Sequence, residues 1–85
     1  MNKYKNLTAT ALIKTGTGTI SGIIVNSHTS GTLKLWDAVT ATTPVIVNTI
    51  SFASGERNID LFDLAFTTGL YATIGGTADI TIVYN

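Results

Sequence analysis

The chain has no cysteine, one proline, one histidine and few charges: only 12% of its 85 residues are charged, and five basic side chains cancel five acidic ones. Each scarcity excludes something. Without cysteine there is neither a disulfide staple nor a thiolate to act as ligand or nucleophile. A single histidine beside so few carboxylates argues against a metal staple. A neutral balance supplies no basic field to displace counterions from phosphate, which argues against a nucleic-acid partner. No stretch approaches the roughly 18 consecutive apolar residues of a membrane span, and no apolar h-region follows the lysines of MNKYKNLTATALIK. The expectation is a protein that remains in the cytoplasm of the cell making it, with no membrane partner.

What is present is apolar and β-branched. Hydrophobic residues make up 45% of the chain and the mean hydropathy is positive. A domain of this length buries only roughly 60–65% of the surface its unfolded chain exposes, so the core is thin. With disulfides excluded and metal disfavoured, oligomerisation or docking on a larger surface is the expected source of further stability. Uncharged surface on a neutral chain points the same way, because such monomers self-associate. Abundant threonine suits exposed strand positions and wet subunit contacts.

Alternation with period two gives the fold class. Residues 1–6 read as a polar N-terminal arm, and residues 7–85 as one domain. Strands are expected at Leu7–Lys14, Ile20–Asn26, Thr32–Asp37, Val45–Phe52, Ile59–Leu61 and in two C-terminal segments. Those two, Leu70–Ile74 and Ala78–Tyr84, flank Gly75-Gly76 and read as a β-hairpin whose glycines supply positive φ. Thr15–Thr19, Ser27–Gly31, Ala38–Thr43 and Ala53–Asn58 read as turns or loops, the last with an adjoining Glu56–Arg57 pair. Ile59–Phe66, IDLFDLAF, alternates poorly and reads as a short strand followed by a bend. The sum is seven or eight short strands at intervals of about 8–12 residues, the pattern of a compact antiparallel β-sandwich (jelly-roll or Ig-like) or a small barrel.

Few residues invite a chemical reading. TGTGT at Thr15–Thr19 lacks the Lys-Ser or Lys-Thr pair and the following helix that a phosphate loop needs. His28 lies beside Ser27 and Ser30, but adjacent turn residues do not make a nucleophile–base–carboxylate geometry. A solvated or subunit-contact histidine is the plainer reading, with a metal shared across a symmetry axis beyond it. Asp60, Asp63 and Asp79 could be paired carboxylates for glycoside hydrolysis, yet their turn-and-edge setting favours solvated or turn-capping roles. Trp36 lies on the polar side of its strand and has three readings: edge cover for the core, sugar-stacking platform, or anchor of a subunit interface. Tyr71 and Tyr84 raise the same question. Trp36, Tyr71, Tyr84 and His28 are therefore the candidate oligomer or partner contacts, with no catalytic, cofactor or metal residues expected.

Three stretches together carry a resemblance: GIIVNSHTSGTLKLWD at Gly22–Asp37, the Thr49-Ile50 pair, and DLFDLAFTTGLYATIGGTADITIVY at Asp60–Tyr84. About three quarters of the chain resembles short Thr/Gly-rich structural proteins of tailed bacteriophages. The resemblance implies a non-enzymatic virion component, a capsid decoration or auxiliary head protein on the capsid surface, assembled in the host cytoplasm. Its partner would be the major capsid protein lattice, where weak contacts sum by multivalency. Lattice symmetry then favours a homotrimer. The alternative, from a different class, is a carbohydrate-binding β-sandwich of a phage fibre or adhesin, with Trp36, Tyr71 and Tyr84 as stacking platforms.

Overall fold

The computed structural model describes residues 3–52 and 58–85. These form six strands and no helix: β1 Lys3–Leu7, β2 Ala11–Thr15, β3 Gly18–Trp36, β4 Val45–Ser51, β5 Asn58–Phe66 and β6 Gly69–Tyr84. All belong to one antiparallel sheet. Its axis is a ribbon of the two long strands, β3 and β6, paired from Ile20↔Tyr84 to Trp36↔Tyr71. Short strands flank this ribbon at both ends. β5 and β1 border its first half, giving the order β5-β3-β6-β1; β4 and β2 border its second half, giving β4-β3-β6-β2.

The strand count departs from the seven or eight read from the sequence because two expected turns lie inside strands. Ser27–Gly31 belongs to β3, and Gly75-Gly76 belongs to β6. The C-terminal segments are thus one strand, each half paired to β3 and neither to the other. The expected turns survive as bulges. Between Thr29↔Thr77 and Thr32↔Gly75, Ser30 and Gly31 oppose Gly76 alone, and further irregularities fall at Ser21 and Asn26. A bulge leaves a residue unpaired, bends the strand and raises its twist. Gly76 has φ +67°, and a Cβ there would strike the Ser30 carbonyl, so this crossing requires glycine.

Other boundaries shift less. The strand expected at Leu7–Lys14 is divided, Leu7 closing β1 and Ala11 opening β2. Lys3–Asn6, from the expected arm, lie in β1 against Tyr84–Thr81. The bend expected after Leu61 is real, but the strand resumes beyond it to Phe66. The turn at Ala53–Asn58, with its Glu56–Arg57 pair, falls outside the described residues except for Asn58, which opens β5.

Burial follows the alternation. Along β6, Leu70, Ala72, Ala78, Ile80 and Ile82 are buried, with Ile74 and Tyr84 packed against the same cluster. β3 contributes Ile20, Ile23, Val25, Leu33 and Leu35. A single cluster thus collects side chains from both halves of the sheet, with Leu7, Ile13, Phe52, Leu61 and Phe66 filling in from the shorter strands and their ends. Phe66 is the largest fully buried side chain among the described residues.

Candidate interaction surface

The four residues singled out in the sequence do not form one site. Trp36 and Tyr71 are direct cross-strand partners and both are half-buried. Their strand neighbours Leu35, Leu70 and Ala72 point into the core, which puts Trp36 and Tyr71 on the outer face. Leu12 is Tyr71's partner on β2 and Val45 is Trp36's partner on β4, so the row Leu12-Tyr71-Trp36-Val45 crosses that end of the sheet. The indole Nε1 donates to Thr73 Oγ1 at 3.0 Å, and Lys34 Nζ lies 4.3 Å from the ring centroid. The tryptophan's donor is therefore occupied and one of its faces is covered by an ammonium group.

Tyr84 lies at the opposite end of the ribbon, paired with Ile20 and Lys3 and packed against the core. His28 is at the bulged middle, opposite Ala78, its ring 5.5 Å from that of Phe52 and tilted by 58°. The aspartates are likewise dispersed. Asp60 Oδ1 accepts from the Phe62 N–H at 2.8 Å, and Asp63 Oδ1 accepts from Ser21 Oγ at 2.9 Å. Asp79 lies opposite Ser27, about 15 Å further along β3 from the position of Asp60. It accepts from Asn6 Nδ2 at 2.7 Å and Asn26 Nδ2 at 3.2 Å, and both amides also donate to Thr81 Oγ1. This polar ladder ties β1, β3 and β6 together on the outer face.

Asp37 has a role that its local sequence does not announce. Its carboxylate accepts from the Thr68 N–H at 2.8 Å, the Thr67 N–H at 3.0 Å and the Gly69 N–H at 3.4 Å, and from the Thr67 hydroxyl. The Thr68 hydrogen bond is the main cause that lowers its pKa from the ordinary carboxylate value; burial opposes it, and the other three bonds reinforce it. Asp37 thus closes the β5–β6 connection from the end of β3.

The most exposed large apolar side chains were also not singled out. Phe62 is 81% exposed and Tyr4 76% exposed, against 38–43% for Leu12, Ile24, Val39 and Leu64. Phe62 is pushed out by a wide bulge. β5 has Leu61, Phe62 and Asp63 between Asp60↔Gly22 and Leu64↔Ile20, where β3 has only Ser21. Phe62 and Asp63 both adopt left-handed conformations, φ 54° and 56°. Two consecutive non-glycine residues there cost of order 1–3 kcal/mol each, held by the Asp60 and Ser21 hydrogen bonds. The poor alternation of IDLFDLAF is the signal of this bulge. Beside it a shallow apolar groove of about 220 Å³ opens over Gly22, between Ile24 and Val83.

Among the described residues no three His, Cys, Asp or Glu side chains are grouped to hold a metal ion. Comparison with protein-family models, curated proteins and solved structures finds no match for this chain.

Proposed function

We propose that the protein is a non-enzymatic structural component of a tailed-bacteriophage particle, a decoration or auxiliary head protein that binds the capsid lattice as a symmetric homo-oligomer, most simply a trimer. The observation that carries the reading is the surface. Phe62 and Tyr4 stand almost fully in water on a chain with 12% charged residues and no net charge. A surface this poor in charge, on a chain with no net charge, favours self-association. The phage assignment itself rests on the resemblance of Gly22–Asp37 and Asp60–Tyr84 to Thr/Gly-rich virion proteins. The accompanying fold is a compact sandwich in which the two halves of the sheet face each other across their shared core, bent at the ribbon's bulges.

The carbohydrate-binding alternative loses ground on geometry. Tyr84 packs on the core at one end of the ribbon and Trp36 lies at the other, so the three aromatics do not make one platform. Lys34 further covers one face of the indole that a sugar would stack on.

Co-sedimentation with capsids assembled from the major capsid protein alone tests the proposal. Saturable binding at a fixed ratio to capsid subunits is expected. No binding to capsids in any maturation state would overturn it, and glycan-array binding abolished by Trp36→Ala would favour the alternative.

A further inference from the structure

The half-sheet β5-β3-β6-β1 has two edges of opposite character. Among the described residues β1 pairs only with β6 and β5 only with β3, so each has one side without a strand partner among them. On β1 the exposed residues are Lys3, Tyr4, Lys5 and Asn6; on β5 Asp60, paired just before the bulge, and Phe62 and Asp63 within it are exposed, as are Leu64 and Ala65 after it. One edge strand thus carries an aromatic flanked in sequence by two lysines, which leave on the opposite face from it, and the other an aromatic flanked in sequence by two aspartates. The two aromatics are the most exposed large apolar side chains among the described residues.

The edges are also level with each other. A single register row runs Tyr4↔Val83, Val83↔Gly22, Gly22↔Asp60, and the next row runs Lys3↔Tyr84, Tyr84↔Ile20, Ile20↔Leu64. The bulge carrying Phe62 and Asp63 falls between the β5 ends of these rows, while Tyr4 and Lys3 mark their β1 ends. A second copy placed beside the first along these rows brings its basic edge against the acidic edge at the same height.

We infer that these edges are the two sides of one head-to-tail interface between copies of this chain: Lys3-Tyr4-Lys5 of one copy docks on Asp60-Phe62-Asp63 of the next. Charge complementarity selects a second copy as the occupant, because the chain carries both halves of the match. Two copies meeting through like edges would instead oppose lysine to lysine or aspartate to aspartate. An interface of two different surfaces is heterologous and closes into a ring when the rotation between copies allows. The contact runs through side chains, since the bulge interrupts any continuous ladder on β5. This inference rests on the homo-oligomer part of the proposed function and names the surfaces that build it.

The test uses the wild-type protein. Carbodiimide joins an ammonium group to a carboxylate with no spacer, and isotope-labelled and unlabelled copies mixed before coupling distinguish links between copies from links within one. The two edges of one copy are three strand spacings apart, about 14 Å, too far for a direct link. The expected product is an isopeptide between Lys3 or Lys5 of one copy and Asp60 or Asp63 of another. Lys3→Glu combined with Lys5→Glu, both at exposed positions, should raise the dissociation midpoint about tenfold or more in light scattering. Circular dichroism melts should be nearly unchanged, and added salt should weaken the wild-type assembly.

An oligomeric wild type whose inter-copy links all avoid these four residues would overturn the interface while leaving the oligomer standing. So would an assembly indifferent to the double charge reversal, in which case the lysines only guard an edge against strand addition. A wild type that is monomeric at every concentration would overturn both the interface and the oligomer.

Discussion

The carboxylate of Asp37 holds three consecutive backbone N–H groups thirty residues further along the chain. Hydrogen bonds to its charged form lower its pKa, so the folded state favours deprotonation more than the unfolded chain does. The contribution is therefore complete above the ordinary carboxylate range and is lost as pH falls through the lowered folded value. Asp37→Asn should lower stability by about 1 kcal/mol near neutrality, the exposed setting keeping the loss small. It should also flatten the acid limb of a melting-temperature profile below the ordinary carboxylate range. A second residue-scale expectation concerns Gly76. Gly76→Ala meets the Ser30 carbonyl and a left-handed backbone together, and should destabilise by about 1–3 kcal/mol in a denaturant titration. Nothing local in the sequence foretells the Asp37 contact, because its partners come from a different turn. Likewise, that Trp36 meets Tyr71 follows only from how β3 and β6 are aligned.

At the scale of elements, the period-two pattern carried the all-β class and the buried face of the C-terminal segments, Leu70, Ala72, Ala78, Ile80 and Ile82, while the connections were misread for a reason the sequence contains. Leu70, Ala72 and Ile74 share their phase with Ala78, Ile80, Ile82 and Tyr84 straight across Gly75-Gly76. A two-residue hairpin turn there would pair Ile74 with Thr77 and Ala72 with Asp79, placing the two apolar sets on opposite faces. Unbroken phase is the signature of one long strand, with the glycines marking a bulge. β3 keeps the same continuity, Ile23 and Val25 sharing their phase with Leu33 and Leu35, because its bulges at Asn26 and at Ser30–Gly31 each add a residue and cancel; only the stretch between them, where His28 lies opposite Ala78, takes the other phase. The failed alternation of IDLFDLAF was likewise a true signal, of the bulge that exposes Phe62. Two measurements check this account of the ribbon. Nuclear Overhauser contacts should join β6 to β3 at Thr32–Gly75 and at Val25–Ile80; a Thr73–Ala78 cross-strand contact would instead restore the hairpin. Phe66→Ala, which empties the largest fully buried position, should cost about 3–5 kcal/mol in chemical unfolding.

At the scale of the molecule, sixteen buried hydrophobic residues and no buried polar or charged ones among the described residues make a small apolar core. Of its exposed counterparts, Tyr4, Leu12, Phe62 and Leu64 lie on the short outer strands, and in one half-sheet Lys3 and Lys5 stand on one edge strand and Asp60 and Asp63 on the other. That arrangement was hidden from the sequence because Lys3–Lys5 read as part of a polar arm and Asp60–Asp63 as a short strand and its bend; only the topology sets the two on opposite edges of one half-sheet. Phe62→Ser should leave the melt of the isolated chain within about 0.5 kcal/mol of wild type, as exposed substitutions do. The same change should shift light scattering toward the monomer. The central proposal, that this chain is a lattice-bound part of a phage particle, is tested most directly by quantitative mass spectrometry of purified particles of the kind it is proposed to belong to. The account predicts that the protein is present in constant proportion to the major capsid protein, at hundreds of copies if every lattice position is filled and at fewer if only one symmetry class is. Its absence from the particle would contradict the account.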